Sequence, residues 1–323
     1  MTRKFNLLTL VGLTLIIGLL PSCGGKPKAF FESIFGKSEK KTYSDCIAVD
    51  ASILPVIDDI LPPFYNKTKM GPLYPLELSD KEVFSKLLNQ EVYMAFATRR
   101  LTKNEENQLK KKKLNPRVYP LAYDALALLV NKENVDSILT IEKFKKILTG
   151  EIVSWKEINP DSPYDTIHVA FDHPTSSTVQ FCADSILRGQ PMKTDGNMTS
   201  VLTSAEVVDY VEKHKDALGI VGSLWLDDRR DENSMTFDRD IKVVAVGSTP
   251  VFAVQPYQYY IATGEYPFYR TIYAICTDPR GTGPMRRLCN FCWNPGEQGQ
   301  LIFFRAGLYP ARAEYYKREV VVK

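Results

Sequence analysis

The sequence predicts an α/β protein of two domains, and three observations carry that expectation. Segments with the two-residue period of a half-buried strand alternate with segments of helical period, the pattern that lays helices on a sheet. Capping boxes at Ser79 with Glu82, Thr102 with Glu105 and Thr203 with Glu206 mark helix starts between those strands. The 323 residues, 44% of them hydrophobic, can bury one large core or two medium ones, and two is the expectation for this length.

The chain opens on an export address. Arg3 and Lys4 precede an apolar stretch, residues 7–20, too short for a membrane span and suited to the core of a secretory signal. It ends in Leu20-Pro21-Ser22-Cys23-Gly24, which resembles a bacterial lipobox with Cys23 as the lipidated residue, although Pro21 is not the usual small residue there. An ordinary signal peptide with a nearby cut is the alternative. Residues 1–23 are thus read as a lipoprotein signal peptide and 24–42, rich in Lys, Gly and Ser, as a tether.

The folded body follows. Residues 46–49 read as a first strand, 55–65 as a helix slowed by its prolines, and 92–97, 125–130 and 243–246 as further strands. Ile167, Val169 and Phe171 alternate with His168, Ala170 and Asp172 as another half-buried strand, while Val179, Cys182, Ala183, Ile186 and Leu187 recur at helical spacing with Gly189 as a stop. Between them stands Ser176-Ser177-Thr178. Hydroxyls at a helix start either cap it, here with Gln180 reaching back to Ser177, or join the unpaired N–H groups in holding a small anion.

Composition removes several other classes. The 41 basic and 38 acidic residues leave a net charge of +3, too small to imply a nucleic-acid partner, and the lysines at 110–113 read as a solvated face. His173 near Ser176 invites a hydrolase reading, but no Gly-x-Ser-x-Gly elbow surrounds the serine and the chain has only three histidines, so no enzyme is expected. Cys289-x-x-Cys292 lacks a second ligand pair for zinc. Beyond Cys23 the five cysteines read as buried thiols, with a Cys289–Cys292 disulfide as the alternative.

The order of segments carries a resemblance. "MAFATRRLTKNEENQL", "YPLAYDALALLVNKEN", "LTIEKFKKILTGEIVSWKEI", the Ser-Ser-Thr loop, "ALGIVG", "GEYPFYRTIYAI" and "GEQGQLIFFRAGLYP" resemble, in that order, the phosphate-binding proteins of bacterial ABC importers, over residues 46–310. The resemblance implies a two-lobed type II periplasmic-binding-protein fold with the ligand cleft between lobes. Lobe one would combine 43–124 with 262–323, and lobe two would be 125–261.

It also implies an oxyanion held by main-chain N–H groups and hydroxyls at helix N-termini of both lobes. The family's Ser-Gly-Thr loop falls on Ser176, Ser177 and Thr178, its first loop on Ala51, Ser52 and Ile53, its second on Ser79 and Asp80, and its third on Ala97, Thr98 and Arg99. Asp172 occupies a position where many relatives carry arginine, and Ser177 replaces the loop glycine; where Thr98 stands some relatives carry aspartate, others Ser or Thr followed by Arg, as in Thr98-Arg99 here.

The implied partners are phosphate or a similar oxyanion, a permease and ATPase complex, and the membrane through the Cys23 lipid, with no cofactor or metal. The implied location is the periplasmic face of a bacterial membrane, as a monomer. The alternative function is a sensor or assembly protein that keeps the fold and takes a different anionic ligand.

Overall fold

The computed structural model describes residues 45–226 and 240–312; Cys23, the signal peptide and the tether lie outside them. β1 (Cys46–Asp50) runs into a 3-10 turn and α1 (Leu54–Thr68), followed by β2 (Tyr74–Leu78), α2 (Asp80–Leu88), β3 (Met94–Ala97) and α3 (Lys103–Lys111). β1 pairs in parallel with both β2 and β3. Ile47 and Val49 enter one apolar cluster and Cys46 and Ala48 another, so both faces of this strand are covered.

The helices start where the boxes place them: Thr102 accepts from the Glu105 N–H, and the Glu82 carboxylate accepts from both the Ser79 N–H and its hydroxyl. α1 is longer than its prolines suggested. Pro55 fits the first turn, and the buried face of Val56, Ile57, Ile60, Leu61 and Phe64 carries the helix through Pro62 and Pro63 to a left-handed Lys69.

β4 (Arg117–Asn131) is the axis of the molecule. Its first part pairs antiparallel with β11 (Tyr269–Cys276), and its second part, from Leu126, with β8 (Ala217–Gly222) and β9 (Ile241–Val243). Pro120 and Asp124 interrupt its apolar pattern, so the sequence showed only the 125–130 stretch. The whole sheet runs β2-β1-β3-β11-β4-β8-β6-β7, with β6 (His168–Phe171) parallel to β8 and to β7 (Met198–Ser200).

Leu126 and Leu128 join one apolar cluster and Ala127 and Leu129 another, so this half is also covered on both faces. The run expected as one strand at 243–246 is two. The Val244 N–H turns to Leu128 O, leaving β9 on β4 and β10 (Ala245–Gly247) on β5 (Ile138–Thr140).

The helix after the hydroxyl run is α4 (Ser177–Phe181), which widens into a π-helical turn, Cys182–Ile186, where the Leu187 N–H reaches Cys182 O. Among the described residues no helix is long and apolar enough to cross a membrane. The five cysteines there are buried and none forms a disulfide, Cys289 and Cys292 included.

Candidate functional site

Parallel strands aim their carboxyl ends in one direction, and in α/β sheets ligands gather there. Asp50 ends β1, Ser79 follows β2, Thr98 follows β3, Asp172 follows β6 and Ser223 follows β8. Side chains from two of these ends, together with Asp124 of β4, converge on one buried arginine, Arg270 of β11. Its Nε donates to Asp124 Oδ2 at 2.9 Å, its Nη1 to Ser177 Oγ at 3.0 Å and its Nη2 to Ser52 Oγ at 2.9 Å. Arg270 is 4% exposed and Asp124 is fully buried, with Ser223 Oγ donating to its other oxygen. Gly222 leaves room for the pair, since a Cβ there would stand 3.0 Å from Nη2.

Proton counting shows what the hydroxyls do. Ser52 and Ser177 each have one proton and two lone pairs, and Arg270 donates to both. Their protons are therefore directed at Asp50 Oδ1, at 2.8 Å from Ser52 Oγ and 3.0 Å from Ser177 Oγ. The Ser52 N–H also reaches Oδ1 at 2.9 Å, and Thr98 Oγ1 stands 3.4 Å from Oδ2. The two serines lie 3.1 Å apart although 125 positions separate them in sequence.

Asp172 organises the neighbouring loop. It accepts from Ser176, Thr178 and Ser204 hydroxyls, at 2.5, 3.2 and 3.2 Å, and burial raises its pKa against the pull of the Ser176 hydrogen bond. Ser176 is the cap, accepting from the Val179 N–H; Gln180 does not reach back but turns to Asp184. His173 bonds to Thr175, not to the Ser176 hydroxyl, so no serine and histidine pair forms.

The remaining expected residues lie farther out. Ile53 is a fully buried core side chain. Ser79 is held by Glu82. Arg99 lies over the Phe84 ring and is tied to Asp80 and Glu105 at 3.1 and 3.0 Å, so its charge serves this local network. Asp50, Asp124 and Arg270 were not singled out in the sequence. Their signal is an ionisable residue set within an apolar strand: Arg270 alternates with Phe268 and Ile272 on the inward face.

Asp80 links that network to pH. Burial pushes its pKa up to about 6, against the attraction of Arg99. A carboxyl whose folded pKa is raised favours folding most below its unfolded pKa, near 4, and loses that contribution as pH rises through about 6. The stability of the wild type minus that of Asp80→Asn should fall by about 1 to 3 kcal/mol between pH 4 and 7 in urea titrations. A difference flat with pH would contradict this environment for Asp80.

Residues 44–288 match the family model described as the PBP superfamily domain. The chain belongs to this superfamily. Its fold is the two-lobed type II form. The phosphate-binding protein PstS of Staphylococcus saprophyticus is 24% identical over 274 residues, 84% of this chain and 79% of that one.

A Clostridium perfringens structure, titled as a candidate phosphate ABC transporter substrate-binding protein with bound phosphate, superposes with a TM-score of 0.70 at 19% identity, covering 83% of this chain and all of that one. An ABC-type phosphate transport receptor of Vibrio cholerae gives a TM-score of 0.62 at 16% identity over 82% and 98% of the two chains. At such identities the superfamily members share a fold, and the chemistry must be read from the side chains of this one.

Proposed function

We propose that this chain is an extracytoplasmic solute-binding protein that captures phosphate, or a closely related oxyanion, in a cleft between its lobes and delivers it to an ABC importer. The observation that carries this reading is the buried Arg270 guanidinium bridging Ser52 and Ser177 beside the Asp50 carboxylate. Such a site offers a cation and rotatable hydroxyls to a ligand's oxygens, and an acceptor to a ligand's proton. A protonated oxyanion that donates to Asp50 releases the Ser52 and Ser177 protons to its own oxygens.

Charged hydrogen bonds contribute about 1.5 to 3 kcal/mol each, so five or six supply the roughly 8 kcal/mol of micromolar affinity. Ser52, Ser177, Thr98 and Arg270 are the proposed contacts; Asp172, Ser176 and Thr178 position the loop. Ser79, Ile53 and Arg99 would act through backbone N–H groups or long-range charge. No step in this reading breaks a covalent bond, and the protein is proposed as a binder, not an enzyme.

The lobes proposed are 43–124 with 262–323, and 125–261, a division supported by the change of partners within β4. Cys23 is the proposed lipid anchor, on the periplasmic face, and the permease and ATPase complex the proposed partner of a monomer. Calorimetric titration of the full-length chain with phosphate and sulfate tests the ligand: phosphate should bind and raise the melting temperature with concentration. Absence of binding by either anion would refute the site. Palmitate labelling tests the anchor, which should vanish in Cys23→Ala; labelling that persists refutes it.

A further inference from the structure

Beside the Arg270 and Ser177 pair lies a cavity of about 280 Å³. A tetrahedral oxyanion fills the space of a few waters, each about 30 Å³, so inorganic phosphate would leave most of this volume empty. The two halves of the sheet already meet at Ser52 and Ser177, 3.1 Å apart, and the Trp225 indole N–H donates to Ser52 O at 2.9 Å.

The walls are chemically mixed. Arg270 and Ser177 stand in them, with the Tyr269 ring and Gln180. Asp80 lines the same cavity, 5% exposed. One of its oxygens takes the Arg99 Nε–H; the other, Oδ1, has no hydrogen-bond partner among the described residues. That oxygen is itself shielded from solvent, and a buried carboxylate oxygen without a donor is costly; a modest turn of the carboxylate toward the cavity would let a ligand hydroxyl supply one. Arg270 has a matching surplus, because its recorded bonds leave one Nη1 N–H without a partner among the described residues.

We propose that the ligand of this site is a phosphate monoester with a small hydroxylated substituent, its phosphoryl group on Arg270 and Ser177 and its hydroxyls in the cavity toward Asp80. This rests on the oxyanion reading above and narrows it. Aromatic and amide walls suit a polyol or sugar-sized group, whose C–H faces pack on Tyr269 while its hydroxyls donate to carboxylate and accept from Gln180.

The test is titration of the full-length chain with inorganic phosphate, glycerol 3-phosphate, glucose 6-phosphate and, as a control, glycerol. One ester should bind at least about tenfold more tightly than inorganic phosphate, and glycerol should not bind. Ser185→Trp, at an exposed position on the cavity wall, should abolish the ester's advantage and retain inorganic phosphate binding. Asp80→Asn should reduce the ratio of ester to phosphate affinity severalfold.

Neither ester binding more tightly than inorganic phosphate, or a Ser185→Trp protein with the ester's advantage intact, overturns the proposal while the oxyanion site stands. Failure of phosphate and both esters to bind overturns both. Thermal melting of each variant shows whether it is folded when titrated.

Discussion

Arg270→Met should destabilise the fold by about 3 to 5 kcal/mol and abolish phosphate binding, because it leaves a fully buried Asp124 carboxylate without its cation. Among the described residues Asp124 would retain only the Ser223 hydroxyl, 2.8 Å away, which cannot neutralise it. The stability loss and the binding loss have different origins, and a second variant separates them. Arg270→Met with Asp124→Leu removes both charges and fills the space with apolar groups, a change that is often neutral or stabilising for buried pairs.

The double variant should therefore recover most of the urea midpoint and still fail to bind phosphate, since no guanidinium faces Ser52 and Ser177. Wild-type phosphate affinity in the double variant would remove Arg270 from the anion site and reduce it to a structural ion pair. Arg270→Lys gives an intermediate expectation. An ammonium can meet Asp124 but cannot reach both serines with a planar fork, so stability should suffer less than affinity.

The placement of this arginine explains what the sequence did and did not reveal. Capping boxes are local: the donor, acceptor and spacing sit within four residues, and those at Ser79, Thr102 and Thr203 are formed. Period-two alternation is equally local, which is why β1, β3 and β6 stand close to where it places them.

The site is not local. Ser52 and Ser177 come from widely separated loops, Arg270 lies 93 positions after Ser177, and Asp124 belongs to a strand whose pattern it interrupts. The resemblance to the family pointed to loops that the structure brings beside Arg270, those of Ser52 and Ser177, but to a charge at 99 or a lost one at 172. In the structure Arg99 is held by Asp80 and Glu105, while β11 brings a cation from the far end of the chain. A long-range pairing of β11 with β4 is needed to see it, and no periodicity encodes that.

Asp50→Asn should reverse the preference between phosphate and sulfate. In the proposed site a fully deprotonated oxyanion would meet the Asp50 carboxylate as a like charge, beside hydroxyls whose protons already point at Oδ1. Hydrogen phosphate would bring a proton for Asp50 to accept; sulfate would bring none. Discrimination of this kind is worth about 1.5 to 3 kcal/mol, or roughly tenfold to a hundredfold in affinity.

Asparagine keeps the shape, and its amide oxygen still accepts from the Ser52 N–H, but the amide nitrogen can donate to an anion and the repulsion is gone. Sulfate binding should then rise by that factor while phosphate changes less or weakens. Calorimetric titrations of both anions at pH 7 on wild type and variant measure the ratio directly. If sulfate binds the wild-type chain as well as phosphate does, and Asp50→Asn alters neither, then Asp50 is only the anchor of the 3-10 turn at Ala51–Ile53, and selectivity must come from elsewhere in the site.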